Sequence, residues 1–422
     1  MKIAMMTNNY KPFIGGVPIS VERLSEGLRR LGHEVCIFAP EYQKGVCEED
    51  VIRYGSGRHR MENGMVFPNI VDRRIREEFE TRKFDVIHVH QPMLIGNVAQ
   101  WYSRKYSIPL VFTWHTRYEE YLHYLKPFSD LNENRKVMQF IYEKCRKGLP
   151  RYMNAYANRC SLVFAPSGDM ESYLRQQNIK PPVRVLPTGL SEHSFTEDPK
   201  RSAQLRQKLL GDRKYLLCTV SRIEKEKNLY FLINAAGKLK KELGDRFRIA
   251  VVGEGSEREA LDRYVKQSGL EDVVSFTGGV PNEEVKDYLF ASDLFLFASK
   301  SETQGIVLAE AMAAGLPVAA VRACGVNDIV EDQENGCLSE EDEEEFAGKV
   351  CRILREQMYR ARLKEGAERT ALRYRMEAVA RKAEAGYVLA GEFKAERGGN
   401  YGYQNYRAED AEPDLLHLFK VS

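Results

Sequence analysis

Two glutamates on either side of a glycine turn form the first candidate site. Glu302 and Glu310 flank Gly305, and the apolar run 294–297 precedes them. Apolar residues after Gly305 have helical spacing, so the stretch 299–317 predicts a strand, a loop and a helix that begins near Gly305. Because the first N–H groups of a helix lack partners and lie at the positive end of its dipole, this helix start could bind a phosphate. If both carboxylates also held hydroxyl groups, the layout would suit a nucleotide sugar.

A basic loop forms the second candidate site. Residues 221–228 follow a predicted strand and include Arg222 and Lys227. A guanidinium fork and an ammonium group at one strand end could together neutralise a pyrophosphate. A charged loop is more often solvated surface, so this stretch alone is a weak indication of a binding site. Other candidate residues at the same place would strengthen it.

Glycine pairs follow two other predicted strands. Gly15-Gly16 precedes Val17, and two glycines let the backbone approach a ligand, although they also fit a simple tight turn. Gly253-Glu254-Gly255 resembles half of a dinucleotide fingerprint. Its third glycine is missing and the unit lies in mid-chain, which argues against a nicotinamide cofactor.

One histidine lies where a strand should end. His115 comes directly after the predicted strand 110–114, although a lone histidine is more often structural than functional. The chain contains no Asp-x-Asp, and its histidines lack metal-ligand spacing, so nothing in it requires a metal ion. It also lacks a nucleophile elbow, which argues against hydrolase chemistry.

Alternating strands and helices must position these residues. Such alternation predicts an α/β protein with doubly wound parallel sheets, in two domains divided near the polar stretch 187–202. Ligands of such sheets bind beyond the carboxyl ends of the strands, so a cleft between the domains is the expected site. The predicted strands are Ile3–Thr7, Glu34–Ala39, Val86–His90, Leu110–Trp114, Leu162–Ala165, Val183–Leu186, Tyr215–Ser221, Arg248–Gly253, Val273–Phe276, Leu294–Phe297 and Pro317–Val321. Residues 356–395 predict charged helix, and residues 396–422 an irregular tail.

Composition is that of a globular protein. Of the 422 residues, 43% are hydrophobic and 29% charged, and no apolar run is long enough to span a membrane. The N-terminus has no signal-peptide pattern, and the eight cysteines form no C-x-x-C pair. This pattern predicts a cytoplasmic protein with reduced cysteines.

Charge is distributed unevenly along the chain. Residues 1–190 contain 28 basic and 20 acidic residues, a balance of +8, whereas the remainder contains 35 basic and 41 acidic residues. Such a split is consistent with an anionic partner for the first half, and equally with none. No nucleic-acid partner is expected.

Seven motifs in order resemble those of the retaining glycosyltransferases of family 4, which have the GT-B architecture of two Rossmann-like domains. The motifs are Gly15-Gly16-Val17, Gly32-His33-Glu34-Val35, Thr113-Trp114-His115-Thr116, Leu186-Pro187-Thr188-Gly189, Arg222 with Lys227, Gly253-Glu254-Gly255, and Glu302 with Glu310. The resemblance covers residues 1 to about 390. It implies an N-terminal acceptor domain over 1–190, completed by a C-terminal helix near 370–395, and a nucleotide-sugar domain over 191–370.

The resemblance also implies a role for each site residue. Glu310 would bind the ribose hydroxyls and Glu302 the donor sugar, while Arg222 and Lys227 would neutralise the leaving diphosphate. His115 would lie near the sugar and the reacting centre. Other implied substrate contacts are Gly15, Gly16, Val17, Gly253, Val280, Thr303, Gln304, Gly305 and Ile306. The resemblance implies no cofactor and no metal. The nucleotide sugar, UDP-glucose, would be a substrate.

One loop indicates a branch of the family. The chain has Glu302-Thr303-Gln304-Gly305 where the commoner pattern is Glu-Gly-Phe-Gly. Together with the stretch 112–121, this version resembles the branch that contains bacterial diacylglycerol glucosyltransferases. A lipid acceptor would explain the positive charge of the N-terminal half. The mixed basic and aromatic residues of 101–160 would then face the anionic inner surface of the membrane. A solvated helical surface explains these residues equally well.

Other activities stay open at this stage. The GT-B fold also serves sugar-phosphate synthases, polysaccharide and small-molecule glycosyltransferases, and nucleotide-sugar epimerases. A non-catalytic relative that only binds a nucleotide sugar is a further alternative, against which the intact Arg222, Lys227, Glu302 and Glu310 argue. The acceptor, the hexose, the nucleotide and the oligomeric state do not follow from the sequence.

Overall fold

The protein has two parallel-sheet units, described in a computed structural model. The described residues are 1–13, 15–43, 45, 48–60, 66–115, 148–300, 302 and 304–400.

The strands are β1 Lys2–Met6, β2 Glu34–Pro40, β3 Val51–Tyr54, β4 Ser56–Arg60, β5 Val66–Pro68, β6 Val86–Val89, β7 Leu110–Thr113, β8 Leu162–Ala165, β9 Val183–Val185, β10 Tyr215–Val220, β11 Phe247–Val252, β12 Val274–Gly278, β13 Leu294–Phe297, β14 Val318–Val321 and β15 Gly336–Ser339. The helices are α1 Gly16–Arg30, α2 Arg73–Thr81, α3 Ile95–Lys105, α4 Gly168–Gln176, α5 Pro199–Leu210, α6 Leu229–Leu243, α7 Arg258–Gln267, α8 Val285–Ala291, α9 Ile306–Ala313, α10 Glu343–Arg355, α11 Gln357–Leu372 and α12 Met376–Asn400. Residues 148–157 are also helical.

The N-terminal sheet has seven parallel strands in the order β3-β2-β1-β6-β7-β8-β9. In β1, residues 3–6 are completely buried, because helices cover both faces of the sheet. The chain order reverses between β1 and β6. Ligands of such sheets bind at this reversal, beyond the carboxyl ends of the two strands.

The C-terminal sheet repeats this plan with six parallel strands in the order β12-β11-β10-β13-β14-β15. Its reversal lies between β10 and β13, and the candidate loops 221–228 and 299–305 follow these two strands. Two doubly wound parallel sheets confirm the predicted fold class. Edge strand β15 was not predicted, because its four residues begin with glycine and end with serine.

The last helix returns to the N-terminal sheet. After α11, the chain crosses at residues 373–375, and α12 packs on α1 so closely that a Cβ on Gly27 would lie 2.8 Å from the Met376 carbonyl oxygen. Lys394 of α12 donates to the carbonyl oxygens of Ser103 (3.1 Å) and Ile108 (2.6 Å), and burial lowers the pKa of Lys394 to about 8.

Helix α12 also corrects one expectation. The predicted irregular tail 396–422 begins instead with helix, because α12 continues to Asn400. Residues 401–422 lie outside the described residues. No helix in the described ranges combines the length and the apolar character needed to cross a bilayer.

Two crossings join the domains. The Leu190 N–H donates to the Tyr374 carbonyl (2.6 Å), and the Met376 N–H donates to the Leu190 carbonyl (2.9 Å). The outgoing and returning segments therefore lie side by side.

Candidate functional site

The basic loop and the glutamate loop are tied together at the reversal of the C-terminal sheet. The Ser299 hydroxyl and the Lys300 N–H both donate to the Glu226 carbonyl, each at 3.3 Å. Lys227 Nζ lies 3.3 Å from Glu302 Oε2, and both side chains are mostly buried. Two residues that are 75 positions apart therefore form one charged pair in the cleft.

Glu302 also caps helix α9. Its Oε1 accepts the Gly305 N–H at 3.2 Å, and Gly305 has the positive φ of 66° that favours glycine. The helix start predicted to bind a phosphate thus already has one donor bonded to a carboxylate of the chain. Ile306 begins the helix, and Thr303 lies outside the described residues.

Glu310 pairs with a residue from the other domain. Arg23 of α1 places Nη2 3.2 Å from Glu310 Oε1 and donates from Nη1 to the Gly189 carbonyl at 3.1 Å. Only 11% of the Arg23 side chain and 16% of that of Glu310 is exposed. Burial raises the pKa of Glu310, and the Arg23 guanidinium opposes that rise.

Sequence reasoning missed Arg23. On α1 the residues Val21, Leu24 and Leu28 form the buried face, and a charged residue among them looks like ordinary helix surface. The usable signal was its position, two turns after the Gly15-Gly16 loop, on the helix that opens at the expected cleft.

An interdomain cavity of about 390 Å³ adjoins this pair. Its lining includes Arg23, Glu310 and residues of the segments 191–194 and 281–289. Val280, one of the substrate contacts that the resemblance implies, directly precedes the segment 281–289. The cavity has the size of a small-molecule site and holds both charges of the interdomain pair at its wall.

Gln304 makes a second contact between the domains. Its Oε1 accepts the Thr188 hydroxyl at 3.0 Å, and its Nε2 is buried without a hydrogen-bond partner among the described residues. Thr188 belongs to the motif 186–189 that resembled the family pattern. Contacts from 188–189 thus reach both Gln304 and, through Arg23, Glu310.

Arg222 is less constrained than Lys227. Its side chain is 64% exposed and pairs with Glu226 at 3.2 Å. An exposed pair of this kind contributes little stability, so the guanidinium can turn toward a ligand at small energetic cost. Glu302 contacts both Lys227 and Gly305 directly, whereas Arg222 pairs with Glu226 within its own loop.

The predicted glycines differ in what surrounds them. A Cβ on Gly16 would meet no atom within 4 Å, and Gly15 is extended at φ 177°, with Val17 partly buried in the first turn of α1. A Cβ on Gly253 would lie 1.9 Å from the Ser221 carbonyl oxygen, and its φ is 141°. Packing against Ser221 therefore explains why position 253 is a glycine, whereas packing does not explain the glycine at position 16.

His115 lies at the carboxyl end of β7 and is partly exposed. Its Nε2 lies 3.0 Å from Nδ1 of His90, a residue that sequence reasoning placed only in a strand. Burial lowers the pKa of His115 to about 4, so the ring is neutral near pH 7. In the described part of the chain, no three His, Cys, Asp or Glu side chains are grouped to hold a metal ion.

The basic and aromatic stretch 101–160 is only partly described. Tyr102 is buried, and Trp101 and Tyr106 pack against the same core, with Lys105 Nζ 4.8 Å from the Trp101 ring centroid. These aromatic rings stabilise the domain and do not form a free surface. Arg135, Lys136, Lys144, Arg146 and Lys147 lie outside the described residues.

Comparisons with known proteins identify the family and the fold. The family models described as Glycosyltransferase Family 4 and Glycosyl transferases group 1 match residues 14–193 and 200–370, respectively. The chain is 29% identical to alpha-monoglucosyldiacylglycerol synthase of Acholeplasma laidlawii, over 92% of this chain and 97% of that protein. It is 26% identical to a GDP-mannose-dependent alpha-mannosyltransferase of Mycobacterium tuberculosis, over 80% of this chain and 83% of that protein. The crystal structure of Anabaena HepE in complex with UDP superposes with a TM-score of 0.69 at 20% identity, covering 91% of this chain and 99% of that one.

Proposed function

Since this chain belongs to the family 4 and group 1 glycosyltransferases and has their GT-B fold, we propose that it moves glucose from UDP-glucose to an acceptor hydroxyl with retention and without a metal ion. The observation that carries the proposal is the Lys227–Glu302 pair, 3.3 Å apart at the carboxyl ends of β10 and β13. One member carries the positive charge that a diphosphate needs, and the other is a carboxylate that can hold sugar hydroxyls. The Glu310–Arg23 pair lines the adjoining cavity, where a ribose would fit.

The charges of the reaction match these side chains. The bond between the anomeric carbon and the phosphate oxygen breaks, negative charge develops on the diphosphate, and positive charge develops on the sugar. Lys227 and Arg222 stabilise the diphosphate, a task that preplaced charges perform better than mobile water. A diphosphate competes with Glu302 for the Lys227 ammonium, and Glu302 is then released toward the sugar.

Retention follows from attack on the face of the leaving group. The acceptor oxygen bonds to the anomeric carbon, and its proton passes to the departing phosphate oxygen. No side chain then has to act as nucleophile, which agrees with the pairing of Glu302 to Lys227 and of Glu310 to Arg23. Determining the anomeric configuration of the product by NMR tests this step, and a β-linked product refutes it.

A screen of donors and acceptors tests the activity as a whole. UDP-glucose, UDP-galactose and GDP-mannose are each offered with diacylglycerol vesicles or soluble sugars, and the released nucleoside diphosphate is measured. Release from UDP-glucose that requires diacylglycerol supports the proposal. Preference for GDP-mannose would favour the alternative suggested by the mannosyltransferase relative. Release from no donor would favour a non-catalytic binding protein.

We propose a membrane lipid, diacylglycerol, as the acceptor. The name of the Acholeplasma laidlawii relative supports this choice, and so does an apolar tip on the N-terminal domain. Phe67 and Val71 are 59% and 68% exposed, and the Arg73 side chain beside them is 78% exposed. Exposed apolar side chains flanked by arginine suit peripheral binding to an anionic bilayer.

Vesicle flotation tests the membrane contact. The unchanged protein is expected to float with anionic vesicles at low salt, and Phe67→Ser with Val71→Ser to stay at the bottom. Met358→Ser is the matched control, because Met358 is 83% exposed but lies on α11 of the other domain. Equal flotation of all three proteins would refute the apolar tip as the contact, and no flotation of any would favour a soluble acceptor.

A further inference from the structure

Three histidine rings lie in a row at the carboxyl end of the N-terminal sheet. The ring centroids of His88 and His90 are 4.4 Å apart, and those of His90 and His115 are 5.2 Å apart. His88 and His90 are completely buried, whereas His115 is partly exposed. His90 is therefore enclosed between a buried ring and the ring at the candidate site.

His88 is the fixed end of this histidine column, which consists of His88, His90 and His115. Its Nδ1 lies 2.8 Å from the Tyr387 hydroxyl of α12, and its Nε2 lies 2.6 Å from the Thr113 hydroxyl of β7. Both ring nitrogens thus have partners. Since a buried ring with two hydrogen bonds has little freedom to turn, His88 forms a rigid wall behind His90.

The next contact in the column is a hydrogen bond between two imidazoles. His90 Nδ1 and His115 Nε2 are 3.0 Å apart, so one of them carries a hydrogen and the other accepts it. Burial lowers the pKa of His88 to about 3 and that of His115 to about 4, and burial also lowers the pKa of His90 well below its usual value. Each ring is therefore neutral and has a single N–H.

The surroundings of His90 decide which ring donates. Its Nε2 is buried without a partner among the described residues. If His115 donated, this Nε2 would carry a buried hydrogen with no acceptor, which is rarer in proteins than an unpaired acceptor. If His90 donates from Nδ1, its buried Nε2 carries only a lone pair and needs no acceptor. His115 then carries its own hydrogen on Nδ1.

From this arrangement we propose that His90 is a positioning residue. It holds His115, which is partly exposed, in the neutral tautomer with hydrogen on Nδ1, so that this nitrogen can donate to an oxygen of the bound sugar. The proposal rests on the proposed hexosyl transfer for the identity of that oxygen. The tautomer itself is a property of the protein and does not depend on which substrate binds.

Two variants at position 90 separate positioning from simple packing. In His90→Asn the side-chain amide takes the place of Nδ1–H and still donates to His115, whereas His90→Leu fills similar space without a donor. Loss of one hydrogen bond predicts a roughly tenfold fall in kcat/KM for His90→Leu, and activity within about threefold of the unchanged protein for His90→Asn. Equal activity of the two variants would overturn the proposal.

Nitrogen NMR of ring-labelled histidine reads the tautomer directly. With His115→Gln used to assign the signals, the unchanged protein should show His115 protonated on Nδ1 and not on Nε2. A hydrogen on Nε2 would overturn the proposal even if His90→Leu fails to fold. If the unchanged protein transfers no sugar, the proposed function fails, while the nitrogen spectrum still decides the role of His90.

Discussion

The two sides of the cleft differ in the charge of their side chains and in how these side chains are held. On the C-terminal side, charged residues from neighbouring loops pair with each other, as Lys227 does with Glu302 at 3.3 Å. On the N-terminal side, the histidine column is neutral and desolvated, and its members bond to one another. The difference fits the proposed transfer, in which one side would handle the charge of a diphosphate and the other would orient a neutral sugar.

The largest expected effect tests the charged side. Lys227→Ala removes the ammonium from the developing diphosphate, and loss of one preplaced transition-state contact of this kind lowers kcat by about 10²- to 10³-fold. Measuring UDP release at saturating donor checks it. Lys238→Ala is the control, since Lys238 forms a similar pair with Glu344 on the surface of the same domain. A fall of less than threefold for Lys227→Ala would assign the charge stabilisation elsewhere.

The next effect concerns ribose binding. Glu310→Gln keeps the size of the side chain but removes its charge, and a hydrogen bond to a charged group is worth about 1.5–3 kcal/mol, so UDP should bind about 10- to 100-fold more weakly. Because burial raises the pKa of Glu310, protonation should weaken UDP binding at a higher pH than it would for an ordinary glutamate. Calorimetry at several pH values measures both effects, and the Glu310→Gln protein should lack this part of the pH dependence.

A smaller effect tests whether the N-terminal domain contributes to that charged site. Arg23→Gln leaves Glu310 buried without its guanidinium, so the pKa of Glu310 should rise further and the fall in UDP affinity should begin at higher pH. At neutral pH we expect a loss of about tenfold. Arg30→Gln on the same helix, where Arg30 pairs with Glu26 at the surface, is the control. Unchanged affinity and pH dependence would make the Arg23–Glu310 pair a domain contact only.

The smallest effect distinguishes a ligand from packing at Gly16. A Cβ there meets no protein atom, so Gly16→Ala should leave the melting temperature within about two degrees of that of the unchanged protein. If a substrate approaches this backbone, KM for the donor should rise severalfold. Gly348→Ala, also in open space but on α10, is the control and should leave KM unchanged. An unchanged KM for Gly16→Ala would remove this glycine from the site.

Residues close in sequence could be predicted, and partners distant in sequence could not. Eleven of the fifteen described strands and the loop from Glu302 to Gly305 follow from apolar periodicity and a single helix start, which are local properties. The histidine column joins His88 to Tyr387, which is 299 positions away, and the pair of Arg23 with Glu310 spans 287 positions. No local pattern specifies such a contact, because it depends on how α12 and α1 pack in the finished fold.

The return of α12 to the N-terminal sheet affects how the chain is made. Residues 1–185 leave the ribosome first, yet their sheet lacks one helical cover until residues 376–400 have emerged. Buried residues such as Val379, Ala383 and Tyr387 supply that cover. The N-terminal domain is therefore synthesised first but completed last. The C-terminal domain, which lies between its two parts in the chain, has had time to fold before then.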